Sequence, residues 1–338
     1  MKINEFLRRY TECGALRLHT PGHKGKLNEL DITELTDGSF PSPQLSEAEK
    51  KCAAAYKGRH ARFLSCGSSQ GVKAAILYSG CDGIIDVNSH RSVSDGYRLA
   101  SKKYAAVGKR GVKPITVDDI KSALGNNVGA VVVTTPTYYG FCADIDGIKK
   151  LCADNGLLFI ADSAHGAHYG FSPLLPKSAA GVADITNLST HKTLFSLTQS
   201  AIIIDNLSDS ESAKLSECVD IMGTTSPSYL LYSSIEDGVT EAADKRTERA
   251  YKALFDALEP VRCKYPFLHN DDFTRLVLDC AALNADTDKL NASLARHGVM
   301  SEMTDGKHIV FLFTAADRVE EVERFDRALH SAVKECVR

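Results

Sequence analysis

The sequence lacks the features that mark several large classes of protein. Its ten cysteines are scattered and include no Cys-x-x-Cys pair, so neither a disulfide framework nor a zinc ribbon is indicated. No apolar run approaches the roughly 18–20 residues that cross a bilayer, and the charged opening "MKINEFLRRYTECG" has no apolar segment typical of a secretion signal. A formal net charge of −3 gives no electrostatic reason to expect nucleic acid or an anionic membrane as a partner. We therefore expect a cytoplasmic protein that binds neither.

What is present is typical of a globular chain with more than one domain: 338 residues, of which 43% are apolar and 25% charged. Alternating strands and helices over about 60–205 predict an α/β domain. The five predicted strands are 83–87, 129–135, 156–162, 183–189 and 200–205, and a helix is predicted at 144–156. The third and fifth strands are continuous apolar runs, which predicts burial on both faces of a parallel sheet.

The pattern of predicted elements changes after residue 235. A long amphipathic helix is predicted over 234–261, and the elements predicted after it are strands at 273–280 and 307–314 and helices at 287–298 and from about 318. This pattern indicates a smaller α+β domain. We therefore predict an N-terminal arm (1–40), a large domain (41–235) and a small C-terminal domain (236–338).

The stretch "LSCGSSQGVKAAIL" (64–77) predicts an anion site. Gly67 and Gly71 permit close approach of the backbone, and a helical pattern follows them. Free N–H groups and the dipole at a helix N-terminus, together with the hydroxyls of Ser68 and Ser69, suit a phosphate. Ordinary N-capping by a serine explains the same residues equally well. The stretch fits neither the Walker nor the dinucleotide fingerprint, which disfavours a nucleotide.

A carboxylate ends the predicted strand in "LLFIADSAHGAHYG" (157–170). Asp162 stands at the carboxyl end of that strand, where open α/β sheets bind ligands, and burying it requires a cationic partner. A metal site built from Asp162, His165 and His168 is disfavoured, because their spacing does not place three ligands on one face. Alternatively, these side chains have only a structural role and cap a helix or form hydrogen bonds within the loop.

Three further loops follow predicted strands and share the expected sheet edge. "VNSHRSVSDG" (87–96) carries His90, and "TTPTYYG" (134–140) places hydroxyls between Pro136 and Gly140. Either loop could serve a site or satisfy its own backbone. "STHKTLFSLTQSA" adds Lys192, which is either a reactive amine or an ordinary surface lysine.

Together the loops supply a phosphate cradle, a buried carboxylate, imidazoles and an amine. Pyridoxal 5′-phosphate needs this set: a Schiff-base lysine, an aspartate for the ring nitrogen and an anion site. An ionised Asp162 keeps the ring nitrogen protonated, so that the ring can accept electrons from the substrate Cα. Lys192 must be neutral to attack a carbonyl. The sequence therefore predicts pyridoxal 5′-phosphate as cofactor, with no metal.

The same stretches resemble the Orn/Lys/Arg decarboxylase family of fold-type-I pyridoxal-phosphate enzymes over most of the chain. The matches, in the family's order and spacing, are "TPGHKG", "DITEL", "CGSSQG", "NSHRSV", "TTPTYYG", "DSAHGAH", "STHKTLFSLTQSA" and "TSPSYLLYSSI". The resemblance implies catalytic roles for Lys192 as the Schiff-base lysine, Asp162 as partner of the pyridine nitrogen, His90 as the ring-stacking residue, and His165. It also implies phosphate contacts from Ser68, Ser69, Ser189 and His191, cofactor contacts from Ala164 and His165, and substrate or entrance positions for His23, Lys24 and Tyr138.

The fold implied by the resemblance is α/β, with a mostly parallel seven-stranded sheet in the large domain and a small α+β C-terminal domain. Family members form homodimers whose active sites lie at the subunit interface. The sequence departs from the family at Ser163, where many relatives carry Glu. Members generally carry a further C-terminal domain, so we expect this chain to be a short member that lacks it.

The activity implied by the resemblance is decarboxylation of a basic amino acid. Two alternatives stay open: another reaction of the same cofactor (transamination, racemisation or side-chain cleavage), or a silent partner of full-length decarboxylases. Arg275, in the predicted small domain, could pair with a substrate carboxylate, but its position favours a surface arginine at a strand edge.

Overall fold

The computed structural model of the protein describes residues 1–125 and 127–337, which form helices and strands around two sheets. The helices of this described part are α1 (Ile3–Glu12), α2 (Ser42–Ala55), α3 (Ser68–Ser79), α4 (Arg91–Leu99), α5 (Val117–Ser122), α6 (Ile145–Asp154), α7 (Thr190–Thr193), α8 (Asp209–Ile221), α9 (Tyr229–Ala242), α10 (Lys245–Lys264), α11 (Thr287–Arg296) and α12 (Val319–Cys336). The strands are β1 (His60–Leu64), β2 (Asp82–Asp86), β3 (Tyr104–Val107), β4 (Val128–Thr134), β5 (Leu158–Asp162), β6 (Ile185–Leu188), β7 (Ala201–Asp205), β8 (Arg275–Asp279), β9 (Met303–Thr304) and β10 (His308–Leu312).

The larger sheet has seven strands in the order β1-β7-β6-β5-β4-β2-β3. Strands β2 to β6 pair in parallel with their neighbours, whereas β7 is antiparallel to both β6 and β1. The predicted α/β class with a mostly parallel seven-stranded sheet is confirmed. The expectation that 200–205 is a parallel strand was wrong, because an apolar run reports burial on both faces and carries no information about direction.

The five strands predicted in the first two thirds of the chain are confirmed as β2, β4, β5, β6 and β7. The single long helix predicted over 234–261 was wrong. The structure has two helices there, α9 and α10, and the Asp244 side chain caps the second by accepting a hydrogen bond from the Arg246 N–H at 2.7 Å. The apolar periodicity continues through this segment, but the aspartate side chain bonds a backbone N–H group and so starts a new helix.

The smaller sheet is antiparallel, with strand order β8-β10-β9. Its strand β9 is only two residues long and was not predicted. The chain divides into two compact units. The first comprises Met1–Thr137, Cys142–His168 and Lys177–Ala242, and the second comprises Tyr138–Phe141, Tyr169–Pro176 and the described residues from Ala243 onward. The domain limits given above, at 40 and 235, remain predictions.

Two hydrophobic cores cover the two faces of the larger sheet. Phe159 and Ile160 are adjacent on β5 and both fully buried, yet they belong to opposite cores, since successive side chains of a strand alternate between faces. Helix α3 lies close against the sheet at Gly71, where an added Cβ would come within 2.0 Å of Asn187 Oδ1. This glycine therefore sets how closely the first turn of α3 approaches β6.

Within the described ranges, no helix combines the length and the apolar character needed to cross a membrane.

Candidate active site

The carboxyl ends of three neighbouring parallel strands meet at one edge of the larger sheet. Asp162, the last residue of β5, is in register with Thr134 of β4 and with Asn187 of β6. The loops that leave β4, β5 and β6 therefore start side by side. Ligands of open α/β sheets bind at this edge. The predicted site residues that end or follow β5 or β6 there are Asp162, Ala164, His165, Ser189, His191 and Lys192.

Asp162 is a buried carboxylate with only 3% of its surface exposed. Its Oδ1 accepts a hydrogen bond from the Ala164 N–H at 3.3 Å. Burial raises the pKa of this carboxyl above its ordinary value, while nearby Lys192 and the hydrogen bond from the Ala164 N–H act in the opposite direction. The site thus holds a carboxyl group whose ionised form needs a cation nearby.

The first turn of α3 begins at a glycine N-cap and carries two hydroxyls. Its N-cap is Gly67, which has a φ of 74° that favours glycine, and no side-chain hydrogen bond is made by this N-cap. N-capping by a serine, the alternative considered above, is not observed. The Ser189 hydroxyl donates to Ser68 Oγ at 2.8 Å, so two serines 121 positions apart in sequence meet at this helix end. The sequence motifs alone did not indicate this contact.

Helix α7 carries the lysine. Lys192 is half-buried, and its Nζ lies 3.0 Å from Nε2 of His165, in the turn that follows β5. The preceding residue, His191, donates from Nδ1 to the Ser200 carbonyl oxygen at 2.7 Å, because a carbonyl oxygen can only accept. The loops after β5 and β6 therefore bring the amine and an imidazole into direct contact.

His90 is the N-cap of α4 and its side chain is exposed. Its Nδ1 accepts a hydrogen bond from the Ser92 N–H at 3.1 Å. His90 therefore has the structural role of capping a helix. Its ring face stays available, since capping uses only one nitrogen. His90 is close enough to Asp162 to act on its ionisation.

The N-terminal candidates His23 and Lys24 lie in a separate loop of the first unit. His23 donates from Nε2 to Asp31 at 3.1 Å and accepts at Nδ1 from the Gly25 N–H, while Lys24 donates to the His19 carbonyl oxygen. These contacts are all local. A place for His23 and Lys24 at the entrance remains a prediction.

Two candidates belong to the second compact unit. The Tyr138 hydroxyl donates to Glu302, and Arg275 donates from Nη1 to the Tyr138 carbonyl oxygen at 3.0 Å. The interpretation of Arg275 as a surface arginine was wrong, because its side chain is fully buried, with 0% exposure. The buried guanidinium has a carbonyl partner, which lowers the cost of removing it from water.

Two polar residues beside Asp162 were missed. The Ser163 hydroxyl donates to the Thr135 carbonyl oxygen at 2.5 Å, which fixes the loops after β4 and β5 to each other. Asn187 is fully buried, and its side-chain amide has no hydrogen-bond partner among the described residues. The only sequence signal was a polar residue inside the buried strand "ITNL". No three His, Cys, Asp or Glu side chains of the described ranges converge as metal ligands would.

The family model described as "Orn/Lys/Arg decarboxylase, major domain" matches residues 26–262. The chain belongs to the Orn/Lys/Arg decarboxylase family. The resemblance based on the sequence motifs is thereby confirmed. An arginine decarboxylase of Bacillus anthracis is 28% identical over 277 residues, which cover 73% of this chain and 55% of that protein. The chain spans about half the length of the first curated relatives it matches.

Solved structures share the fold. The lysine decarboxylase LdcF of Francisella novicida has a TM-score of 0.79 at 17% identity, covering 97% of this chain and 59% of that one. A structure of SPT with PLP has a TM-score of 0.66 at 14% identity, covering 87% of this chain and 78% of that one. The Orn/Lys/Arg decarboxylase family and fold-type-I neighbours therefore share this architecture.

Proposed function

We propose that this protein is a pyridoxal-phosphate-dependent decarboxylase of a basic amino acid, with Lys192 as the lysine that binds the cofactor covalently. The observation that carries the proposal is the meeting, at one sheet edge, of a buried carboxylate, a half-buried amine and a helix N-terminus bearing two serines. The three groups come from separate segments of the first unit. Membership of the decarboxylase family supports the same chemistry.

The residues present fit the cofactor. The positive φ of Gly67 and the uncapped first turn of α3 offer backbone N–H donors to a phosphate, and Ser68 and Ser189 add hydroxyl donors. Asp162 offers the buried anion that a protonated pyridine nitrogen requires. When bound, the cofactor supplies a cationic ring that takes up the electron pair released at the substrate α-carbon as CO₂ leaves.

The protein's own residues have distinct tasks in this proposal. Asp162 would accept a hydrogen bond from the protonated ring nitrogen and so keep that proton in place. Lys192 supplies a neutral amine to the aldehyde carbon, since an ammonium has no lone pair. His90, with its Nδ1 held by the Ser92 N–H, would stack on the ring when the cofactor is bound.

We also propose a homodimer. Large apolar side chains are exposed in the N-terminal segment, where Leu16, Leu18 and Leu27 each expose more than 80% of their surface. Phe195 and Leu197, in the loop just after Lys192, are about half exposed. Groups of exposed large apolar side chains are typical of an interaction surface. Light scattering of the purified protein tests this proposal, and a monomer at working concentration would contradict it.

A substrate panel tests the function. Protein loaded with pyridoxal phosphate is incubated with arginine, lysine, ornithine and neutral amino acids, and CO₂ and amine are measured. Equal amounts of CO₂ and amine from one basic amino acid are expected. A keto acid or a D-amino acid would indicate a different reaction of the same cofactor. Absence of a visible absorption band after cofactor addition would indicate a catalytically silent relative.

Ser68→Ala is expected to weaken cofactor binding without abolishing it. A hydrogen bond to a charged group contributes about 1.5–3 kcal/mol, which corresponds to roughly tenfold to a hundredfold in Kd. Titration of the protein with pyridoxal phosphate, followed by absorbance, measures the change. Ser79→Ala is the matched control, because that serine lies at the other end of α3 and bonds the Ile76 carbonyl oxygen. Equal Kd values for the Ser68 variant and the wild type would contradict the phosphate assignment.

A further inference from the structure

The contact between Lys192 and His165 is the most unusual feature of the site. Lys192 Nζ lies 3.0 Å from His165 Nε2, although the two residues are 27 positions apart. His165 is buried, with 7% of its surface exposed, in the turn after β5. Such a contact holds one proton between two nitrogens. One of the two nitrogens must therefore accept while the other donates.

The charges of the site limit which protonation states can occur. An ammonium and an imidazolium 3.0 Å apart would repel each other strongly in a buried site. Asp162, whose ionisation responds to the charge of Lys192, supplies at most one balancing negative charge. The pair therefore carries at most one positive charge, and when that charge is on Nζ, His165 is neutral. In that state Nε2 is positioned to receive a proton from Nζ.

We propose that His165 is a catalytic acid and base that moves the proton at Lys192 Nζ whenever this nitrogen makes or breaks a bond to carbon. Before Nζ bonds an aldehyde carbon, the N–H bond of the ammonium facing His165 breaks and the proton binds to Nε2. The electron pair left on Nζ forms the carbon–nitrogen bond, and the carbonyl oxygen takes up this proton from Nε2 and a second one from Nζ and leaves as water. The reverse transfer accompanies cleavage of the carbon–nitrogen bond. No oxidant or reductant is involved. The inference rests on the proposed function, because it gives His165 a task in the use of Lys192.

A purely structural contact predicts the opposite effect on the lysine. If His165 only accepts a hydrogen bond from the ammonium, its removal destabilises the ammonium and makes the amine more reactive. If His165 moves the proton, its removal makes the amine less reactive, since general acid–base catalysis is lost. The direction of the change therefore separates the two roles.

The test measures how fast Lys192 reacts with a small aldehyde in protein without added cofactor. Formaldehyde and cyanoborohydride methylate lysines, and peptide mass spectrometry follows Lys192 and the exposed Lys102 at one fixed neutral pH. His165→Gln keeps a hydrogen-bond acceptor near the position of Nε2 but cannot take up the proton. We expect methylation of Lys192 to slow about tenfold or more in this variant, while Lys102 is unchanged.

Two further variants complete the design. His165→Ala is expected to be equally slow and to recover when imidazole is added, because free imidazole replaces the missing base. His168→Gln is the matched control, since His168 is also buried, lies three positions further along the chain, and has no role in the proposal. Rates for the two His165 variants equal to or above the wild-type rate would overturn the inference, and so would imidazole having no effect. Thermal unfolding shows whether each variant is folded, and His165→Gln alone suffices if the alanine variant is not.

The outcome can be separated from that of the proposed function. Pyridoxal phosphate added to the wild-type protein, followed by borohydride, should leave a stable mass adduct on Lys192. An adduct together with methylation rates that do not depend on His165 refutes only the inference. Methylation that depends on His165 without any such adduct refutes only the proposed cofactor.

Discussion

Lys192→Ala is expected to abolish covalent attachment of the cofactor and to lower decarboxylation by about 10⁴-fold or more. The alanine has no amine to bond the aldehyde carbon, whereas Lys192 Nζ lies 3.0 Å from His165 Nε2 in the site. The phosphate contacts proposed for Ser68 and Ser189 are unchanged, so cofactor should still bind non-covalently. Intact-mass measurement after borohydride reduction reports the covalent link, and amine production reports the activity.

The matched control for this prediction is Lys102→Ala, which removes an exposed lysine outside the site. It should retain both the mass adduct and the activity. Added methylamine is expected to restore part of the activity of Lys192→Ala, because it returns the missing functional group. A borohydride-stable adduct that persists in Lys192→Ala would refute the assignment.

Five of the seven strands of the larger sheet could be predicted because they are distinct apolar runs, whereas β1 and β3 were not predicted. Apolar runs such as "LFIAD" are too short for helices and end in polar loops, which marks both the strand and the site at its carboxyl end. Strand direction is a different property. The run "AIIID" is fully buried like the adjacent β6, yet β7 runs antiparallel to it, because direction depends on the path of the connection and not on side-chain hydrophobicity.

The residue types of the site were predictable, but their contacts were not. Motif order placed Lys192, Asp162 and the serines at one sheet edge, since each follows a strand or opens a helix. The hydroxyl contact between Ser189 and Ser68 and the 3.0 Å contact between Lys192 and His165 depend on how two loops pack, and no local pattern encodes that. Sequence assigned His165 to the cofactor by resemblance alone.

Burial of a charged residue was the hardest property to predict. Arg275 begins a strand whose next three residues are apolar, and charged side chains in that position are usually exposed. Its burial depends on the Tyr138 carbonyl oxygen, which is contributed by a segment 137 positions away. A partner so distant in sequence leaves no signal near the arginine.

Asp162→Asn is expected to change activity and stability in opposite directions. Activity should fall by about 10²–10⁴-fold, because an amide cannot hold the proton on the ring nitrogen as an ionised carboxylate does. The protein freed of cofactor should instead become more stable, with a higher Tm. The raised pKa of Asp162 means that its ionised form is less favourable in the folded protein than in water, even with Lys192 and His90 nearby.

The sign of the stability change follows from the protons bound in each state. Because the folded pKa of Asp162 lies above its unfolded value, the folded state binds more protons over that interval, and stability falls as pH rises through it. The asparagine variant has no carboxyl group to titrate at this position, so this decrease in stability does not occur in it. The gain in Tm should therefore be absent at a pH near the ordinary carboxyl pKa and present in full above the raised one.

Thermal unfolding of the cofactor-free wild type and Asp162→Asn across this pH range measures the difference. Asp154→Asn is the control, since that carboxylate is exposed and forms a surface ion pair with Lys150 at 2.7 Å, and it should give no such pH-dependent gain. With cofactor bound, the wild type should recover the lost stability, because the ring nitrogen supplies the cation that the buried carboxylate needs. A Tm for Asp162→Asn at or below that of the wild type at every pH would contradict the prediction. It would show that ionised Asp162 does not destabilise the cofactor-free protein.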